Sequence, residues 1–253
     1  MKKSMLWGLG LLSYLLFSLI LTPASVWLKL VPLPPGLQLG PVSGTLWSGQ
    51  IQGVQQGSWY LPNLHWQLQL SPLLRGKLGV LVDGGQLKES DLPYVKLQAE
   101  VGLGSVAITQ SVLRLPMSGV MSQLQLPMPV DASGMLVVNL QQYQSGAPYC
   151  QAATGSASWQ QARFKTPAGW IDLAAIDATL ACADGNLSVQ TSDGNPLGLL
   201  IKAELLADSY RVSGSLKPDA SMPTEVHQAM QFVGQADASG RFPLNLQGQF
   251  RLN

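Results

Sequence analysis

The chain has 253 residues, of which 46% are hydrophobic and only 11% are charged, and its formal net charge is +1. This charge balance excludes the broad basic field that binds nucleic acid non-specifically, and the hydrophobic content excludes an intrinsically disordered chain. With 26 glycines and 17 prolines, the composition favours a fold with many turns.

A long uncharged segment begins the chain. The stretch from Ser4 to Leu28 contains no charged residue and follows Lys2 and Lys3. A helix needs about 20 apolar residues to cross roughly 30 Å of hydrocarbon, so residues 5–28 are predicted to form a transmembrane anchor. The alternative is a signal peptide cleaved near Ser25. Both alternatives export the rest of the chain.

Positive charge sets the predicted orientation. Lys2 and Lys3 precede the uncharged segment, whereas only Lys29 follows it closely. By the positive-inside rule, residues 1–4 form a cytoplasmic tail and the bulk of the chain is carried across the membrane.

Proline interrupts the next segment. The stretch "LVPLPPGLQLGP" contains four prolines, which is too many for a second membrane-spanning helix. Residues 29–41 are therefore predicted to form a stiff spacer that lifts the following domain off the membrane.

Alternating hydrophobicity dominates the remainder. In "LHWQLQLS", Leu64, Trp66 and Leu68 point to one face and His65 and Gln67 to the other. The same alternation recurs in "YVKLQAEV" and "FPLNLQGQFRL". Each of these runs is typical of a half-buried strand.

Short turn signals separate the strands. Asp83-Gly84, Asp184-Gly185 and Asp193-Gly194 predict tight hairpin turns, and the Ser-Gly pairs at 133–134 and 145–146 predict further turns. The predicted fold is mainly β: residues 42–253 form an antiparallel meander, either a strongly curved sheet or an open barrel.

Helical periodicity beyond residue 28 is confined to one place. The stretch "MPTEVHQAMQFVG" carries a Pro-Thr start, Glu225 in the first turn and Gly234 as a stop. One short helix is therefore predicted near residues 223–233. His227 on this helix and His65 on its strand are interpreted as solvent-facing residues.

A tryptophan bracketed by glycines stands in "GTLWSGQIQGV". Gly44 and Gly49 flank Trp47, and we predict a strand in which Trp47 is a large inward-facing anchor. The glycines would permit close approach of the backbone or a bulge. This interpretation makes Trp47 a packing residue.

Two cysteines lie in the exported part. Cys150 and Cys182 are an even pair in an oxidising compartment, which predicts one disulfide; two buried free thiols are the alternative. Two cysteines and two distant histidines lack the spacing of a metal site.

Enzyme signatures are missing from the sequence. The chain contains no G-x-S-x-G elbow, P-loop or H-E-x-x-H motif. Gly102-Leu-Gly104 resembles part of a dinucleotide loop, but it joins two strand patterns and no helix follows. The sequence therefore predicts a non-enzymatic protein with no catalytic, cofactor-binding or metal-binding residues.

Together these features resemble a known family. A short basic terminus, one anchor, a Pro-rich spacer and then "GTLWSG" are similar to the N component of type II secretion systems, the general secretion pathway protein N family. The carboxy-terminal "GQADASGRFPLNLQGQF" resembles the end of that family at Gly234, Asp237, Gly240, Phe242 and Gly248.

The resemblance implies a single-pass protein of the bacterial inner membrane whose bulk is periplasmic. It implies a non-enzymatic accessory subunit that supports export of folded periplasmic proteins across the outer membrane. Its partners would be other inner-membrane subunits of the machine, and nucleic acid would not be one of them.

An alternative function follows from a second likeness. The predicted sheet is also similar to periplasmic lipid-bridging proteins, whose β-surfaces form apolar grooves. A scaffold needs exposed strand edges or patches for its partners, whereas a lipid-contacting protein needs an uncovered apolar face. Alternation alone predicts an apolar face and leaves both functions open.

Overall fold

The computed structural model describes residues 2–29, 32–87, 92–123, 131–166 and 169–249. The helices are α1 Lys2–Leu21, α2 Ala24–Leu28, α3 Met117–Gln123 and α4 Thr224–Val233, with one 3-10 helix at Ser71–Arg75. The strands are β1 Leu37–Leu39, β2 Val42–Gly44, β3 Ser48–Gln56, β4 Trp59–Gln69, β5 Lys77–Gly84, β6 Tyr94–Gly102, β7 Ser105–Pro116, β8 Ala132–Ser145, β9 Cys150–Thr166, β10 Gly169–Asp172, β11 Ala175–Ala183, β12 Asn186–Thr191, β13 Leu200–Leu205, β14 Ser209–Leu216 and β15 Phe242–Gln249.

All strands of the described residues belong to one antiparallel sheet. Its main path runs in chain order from β1 and β3 to β15, while β2 pairs with β3 and β10 pairs with β9 at the sides. The end strands β1 and β15 do not pair with each other, so the sheet is open. The predicted antiparallel meander is confirmed.

The register gives the sheet one polar face and one apolar face, because residues opposite each other on neighbouring strands share a face. One cross-strand row is polar at every position except Val112: Gln50, His65, Asp83, Lys96, Val112, Asn139, Ser156, Thr179, Gln190, Lys202, Ser213 and Asn245. The adjacent row, on the opposite face, is almost entirely apolar: Trp66, Val82, Leu97, Ser111, Leu140, Gly155, Leu180, Val189, Ala203, Val212 and Leu246.

Some predicted turns are confirmed and others are wrong. Asp184-Gly185 connects β11 to β12, and the Ser-Gly pair at 145–146 lies where β8 ends. Asp83-Gly84 instead forms the last two residues of β5, where Gly84 pairs with Val95. The other Ser-Gly pair, 133–134, lies inside β8, where the register with β9 shifts. Pairing across the sheet overrides the local turn preference at both places.

The Asp193-Gly194 pair has a third outcome. It lies between β12 and β13, in a connection that runs from residue 192 to residue 199. The predicted tight hairpin turn is therefore wrong, since this connection is longer than a two-residue turn. Asn195 is buried there, and its side chain exchanges hydrogen bonds with the backbone of Leu199.

A buried cluster covers one part of the apolar face. Its buried members lie on β9, β10 and β11, on α4, and in the connections beside these elements: Ala162, Ile171, Leu173, Ile176, Met222 and Val226. Trp159 and Phe164 pack against this cluster. The predicted helix near residues 223–233 is confirmed as α4, and His227 is exposed on it as expected.

Two helices precede the sheet. α1 ends at Leu21, and Pro23, which has no N–H to continue a helix, forms an isolated bridge with Thr45. Among the described residues, no helix combines the length and the apolar character needed to cross a membrane. The transmembrane helix predicted from the sequence is therefore not confirmed. Farther on, β1 lies within the predicted spacer and pairs with β3.

Candidate functional surface

A groove of about 640 Å³ crosses β3 to β7 on the polar face of the sheet. One wall is a polar row made by Gln50, His65, Asp83 and Lys96. The other wall is the neighbouring row of Ser48, Gln67, Leu81, Gln98 and Gln110. Its floor is the backbone of the residues that lie between these two rows. The side chains of those floor residues project to the apolar face.

His65 has both ring nitrogens within hydrogen-bonding distance of oxygen atoms. Nδ1 lies 3.0 Å from the carbonyl oxygen of Asn63, and Nε2 lies 3.0 Å from Oε1 of Gln50. A carbonyl oxygen only accepts, so Nδ1 carries a proton. His65 therefore links the Asn63 carbonyl on its own strand to the Gln50 side chain on β3.

Asp83 holds a second contact at the same wall. The hydroxyl of Tyr94 donates to Oδ2 of Asp83 at 3.3 Å. Burial of the ring and then the nearby carboxylate of Asp83 raise the pKa of Tyr94, so the hydroxyl keeps its proton for this hydrogen bond. Asp83 lies opposite Lys96 in the register, which places one carboxylate and one ammonium group on the groove wall.

The groove offers hydrogen bonds to a ligand. Each glutamine amide presents two donor hydrogens and an acceptor oxygen, and most groove side chains are exposed. In the described part of the chain, no three His, Cys, Asp or Glu side chains are grouped to hold a metal ion. The groove therefore presents amide, carboxylate and ammonium groups on its walls beside apolar residues such as Leu81.

The prediction that Trp47 lies in a strand is wrong. It lies in the connection between β2 and β3, and its neighbour Ser48 begins β3. The aromatic ring that packs on Gly49 belongs to Trp66, whose Cζ2 would be 2.3 Å from a Cβ at position 49. Gly44 ends β2 with φ +93°, a conformation that favours glycine.

The connection holding Trp47 is also the junction with the amino-terminal helices. Thr45 pairs with Pro23, and α2 packs against β2. The indole Nε1 of Trp66 donates to the carbonyl oxygen of Leu46 at 3.1 Å. The indole nitrogens of Trp27 and Trp47 are buried with no hydrogen-bond partner among the described residues.

At the carboxy-terminal end, Asp237 organises a turn. Its Oδ1 accepts hydrogen bonds from the Ser239 hydroxyl at 2.6 Å, the Ser239 N–H at 2.8 Å and the Arg241 N–H at 3.0 Å. The hydrogen bond from the Ser239 side chain is the main cause that lowers the pKa of Asp237. Gly240 has φ +76° within the same turn, so both residues serve to reverse the chain.

The Asp237 turn precedes β15 and places this strand beside β14. The Arg241 side chain donates to the Ser215 hydroxyl at 2.7 Å and to the Gly198 carbonyl at 2.5 Å. Phe242 then pairs with Leu216.

The remaining two glycines of this carboxy-terminal set flank these contacts. Gly248 lies against Tyr210, where a Cβ would be 2.6 Å from the ring, and Gly234 directly follows α4. Three members of the set from Gly234 to Gly248 therefore lie in the connection from α4 to β15, and Phe242 and Gly248 lie in β15 itself.

The predicted disulfide between Cys150 and Cys182 is confirmed. It joins the start of β9 to β11 across a Cα–Cα distance of 6.1 Å. The amide groups of Tyr149 and Cys150 both donate to the Gly185 carbonyl at 3.1 Å. The Tyr149 hydroxyl donates to the Ala207 carbonyl oxygen at 3.0 Å. Three hairpin turns are thus tied together at one end of the sheet.

Comparison with known proteins decides the family. The model of the family described as type II secretion system (T2SS), protein N, matches residues 35–245. The chain belongs to this family. It is 34% identical to type II secretion system protein N of Vibrio cholerae, with 98% of this chain and 100% of the relative aligned. The same protein of Aeromonas hydrophila is 35% identical, over 98% of this chain and 99% of the relative. No solved structure matches the chain.

The groove was not predicted from the sequence. Alternation placed His65 and Gln67 on the polar face, but the wall residues come from five strands and meet only through the register. The hairpin connections that set this register include the irregular one at residues 70–76, which contains a 3-10 helix. The available sequence signal for the groove was a set of polar residues, including His65 and Gln50, on separate strands. This signal is weak because the sequence does not show which of these residues lie opposite each other.

Proposed function

We propose that the protein is a non-enzymatic, inner-membrane accessory subunit of the type II secretion machinery, which supports export of folded periplasmic proteins across the outer membrane. Membership of the protein N family supports the role in type II secretion. The relatives from Vibrio cholerae and Aeromonas hydrophila carry the same family name and align over nearly the whole chain.

The outer edge of β15 is the observation that carries the subunit role. Within the described residues, β15 pairs with β14 alone, so the other side of its backbone is available to a partner strand. Addition of an extended segment to such an edge is a recurrent mode of protein recognition. Asn245, Gln247 and Gln249 are exposed on this strand and carry no charge. Contacts there would use backbone groups and amides.

Attachment to the membrane is the second part of the proposal. The uncharged amino-terminal segment would be anchored in the inner membrane, with the amino terminus cytoplasmic and the sheet periplasmic. Large apolar side chains of α1 are exposed along its length, among them Trp7, Leu9, Leu11, Leu12, Tyr14, Phe17 and Leu21. Exposure of this much apolar surface in water is unfavourable, which supports burial in lipid.

Photocrosslinking in intact cells tests the subunit role. A photoreactive amino acid replaces Gln247 on the edge strand, and the matched control replaces Gln190, an exposed glutamine on the same face in the interior strand β12. We expect position 247 to crosslink to another inner-membrane secretion subunit and position 190 not to. Deletion of the whole protein should reduce secretion. Crosslinks to no secretion subunit from either position would reject the proposal.

The topology has its own test. A reporter enzyme that is active only in the periplasm, fused after Asn253, should be active, and carbonate washing should leave the protein in membranes. An inactive reporter would place the sheet in the cytoplasm. Recovery of a soluble mature protein that begins near Ser25 would replace the anchor with a cleaved signal peptide.

A lipid-contacting role is the second candidate function. The apolar row that crosses the sheet from Trp66 to Leu246 favours it, because the described helices pack against only part of that face. Mass spectrometry of lipids extracted from the purified protein distinguishes the two roles. Stoichiometric phospholipid or lipopolysaccharide precursor, with no secretion partner captured, would favour lipid contact over the scaffold.

A further inference from the structure

Four leucines are exposed at neighbouring strand ends, and we call them the leucine tips: Leu70, Leu73, Leu74 and Leu103. The first three lie in the connection between β4 and β5, and Leu103 lies in the turn between β6 and β7. Leu74 is 96% exposed and Leu103 is fully exposed. Single exposed apolar residues are common on protein surfaces, whereas a contiguous group of them often marks an interaction site.

The register brings the leucine tips together. Lys77, just after the first connection, pairs with Gly102, just before Leu103. Arg75 and Lys77 lie between the tips and both contact Glu100, at 3.1 Å and 3.4 Å. Arg75 remains largely exposed while Glu100 is mostly covered. The tips therefore combine apolar side chains with a net positive charge.

The amino-terminal helices join the sheet at the same end. The N–H of Leu68, at the end of β4, donates to the Trp47 carbonyl at 2.7 Å. Two residues before Trp47, Thr45 pairs with Pro23, which lies two residues after the end of α1. The carboxy-terminal end of α1 and the leucine tips are thus held on the same side of the molecule.

The residue types in the turns at this end of the sheet differ between its two halves. The β11–β12 turn contains Asp184 and the β13–β14 turn contains Ala207 and Asp208, all exposed. The connections nearest α1 therefore carry leucines with a basic pair, whereas the β11–β12 and β13–β14 turns each carry an exposed aspartate. An anionic lipid surface attracts the first group and repels the second.

We propose that the leucine tips insert into the headgroup boundary of an anionic membrane, with Arg75 and Lys77 facing the lipid phosphates. Apolar side chains beside basic ones bind lipid interfaces by both burial and charge. The inference rests on the membrane attachment proposed above. It adds a second contact that sets the tilt of the sheet against the bilayer.

Single labelled cysteines in the full chain test this inference. Both native cysteines are disulfide-bonded, so an added cysteine is the one free thiol. Leu74→Cys and Leu103→Cys report the tips, Ala207→Cys is the matched control at a distant turn, and Leu12→Cys reports α1. Each variant carries an environment-sensitive fluorophore in vesicles of phosphatidylcholine and phosphatidylglycerol.

We expect quenchers attached to lipid chains to reduce emission at positions 12, 74 and 103 several-fold more than at 207, and aqueous iodide to show the reverse. The inference is overturned if 74 and 103 respond to iodide as 207 does while 12 is protected, an outcome that leaves the anchor intact. Aqueous exposure at 12 would instead reject the proposed anchor. Protection of the tips from both quenchers would indicate a protein contact in place of lipid and would also overturn the inference.

Charge is tested separately. In the labelled Leu103→Cys chain, the added changes Arg75→Gln and Lys77→Gln should reduce lipid quenching at position 103. Vesicles of phosphatidylcholine alone should also reduce it for the labelled chain that keeps Arg75 and Lys77. Equal quenching in both vesicle types would overturn the role assigned to the basic pair.

Discussion

The indole ring of Trp66 lies over Gly49 on the adjacent strand, so close that a Cβ at position 49 would be 2.3 Å from Cζ2. The same ring donates its N–H to the Leu46 carbonyl. Trp66 therefore holds the start of β3 through a glycine below it and a carbonyl beside it. The glycine in "WSG" is required by a tryptophan 17 positions later in the sequence.

Gly49→Ala should destabilise the protein by about 1–3 kcal/mol, as overpacking in a tight contact does. The added methyl group must displace the Trp66 ring. Ser48→Ala, at an exposed neighbour, is the control and should change little. Chemical denaturation measures both free energies of unfolding. A Gly49→Ala protein as stable as the control would contradict the contact.

Replacing each tryptophan by phenylalanine separates Trp66 from Trp47. Trp66→Phe leaves the Leu46 carbonyl without its donor, and such a loss costs about 1–3 kcal/mol for a buried group. Trp47→Phe removes an N–H that already has no partner, so its lost packing is partly offset by the loss of that buried polar group. We expect Trp66→Phe to lower the melting temperature more. The opposite order would contradict the hydrogen-bond assignment.

The turn at Asp237 predicts a dependence of stability on pH. Its pKa is lowered in the folded protein, so its contribution is present above the unfolded pKa and is lost as pH falls through the folded pKa. Asp237→Ala should be less stable than the unmodified protein near neutral pH, and the difference should shrink in acid. Asp193→Ala, at an exposed loop position, is the control. A difference that stays constant down to low pH would argue against a charged acceptor.

Removing the disulfide should lower the free energy of unfolding by about 3–4 kcal/mol in the loop-entropy model, since 32 positions separate the two cysteines. The double variant Cys150→Ser/Cys182→Ser avoids a lone thiol. The chain should still fold, because the strand pairing on both sides does not depend on the bridge. Equal stability of the variant and the oxidised protein would show that the bridge contributes nothing.

Local patterns predicted what depends on local physics. Alternation in "LHWQLQLS" gave the faces of β4, and the Pro-Thr start and Gly234 bounded α4. Trp47 was misplaced because its flanking glycines suit both a strand and a turn, and only Trp66 distinguishes the two. The groove wall from Gln50 to Lys96 and the leucine tips depend on register between strands, which a periodicity of two leaves open.

The chain-order path of the sheet has a consequence for how the protein forms. From β3 to β15, each strand of the main path pairs with the strand that precedes it there, so no main-path strand has to wait for a later strand before it can pair. The connection that must close for each pairing is therefore only the one between two successive strands of the path, and the entropy cost of closing a loop grows with its length. In the topology proposed above, where the amino terminus stays on the cytoplasmic side, each hairpin can therefore be added to the growing sheet as it emerges from the membrane. β15 is the last strand in chain order, so its pairing with β14 after the Asp237 turn completes the sheet.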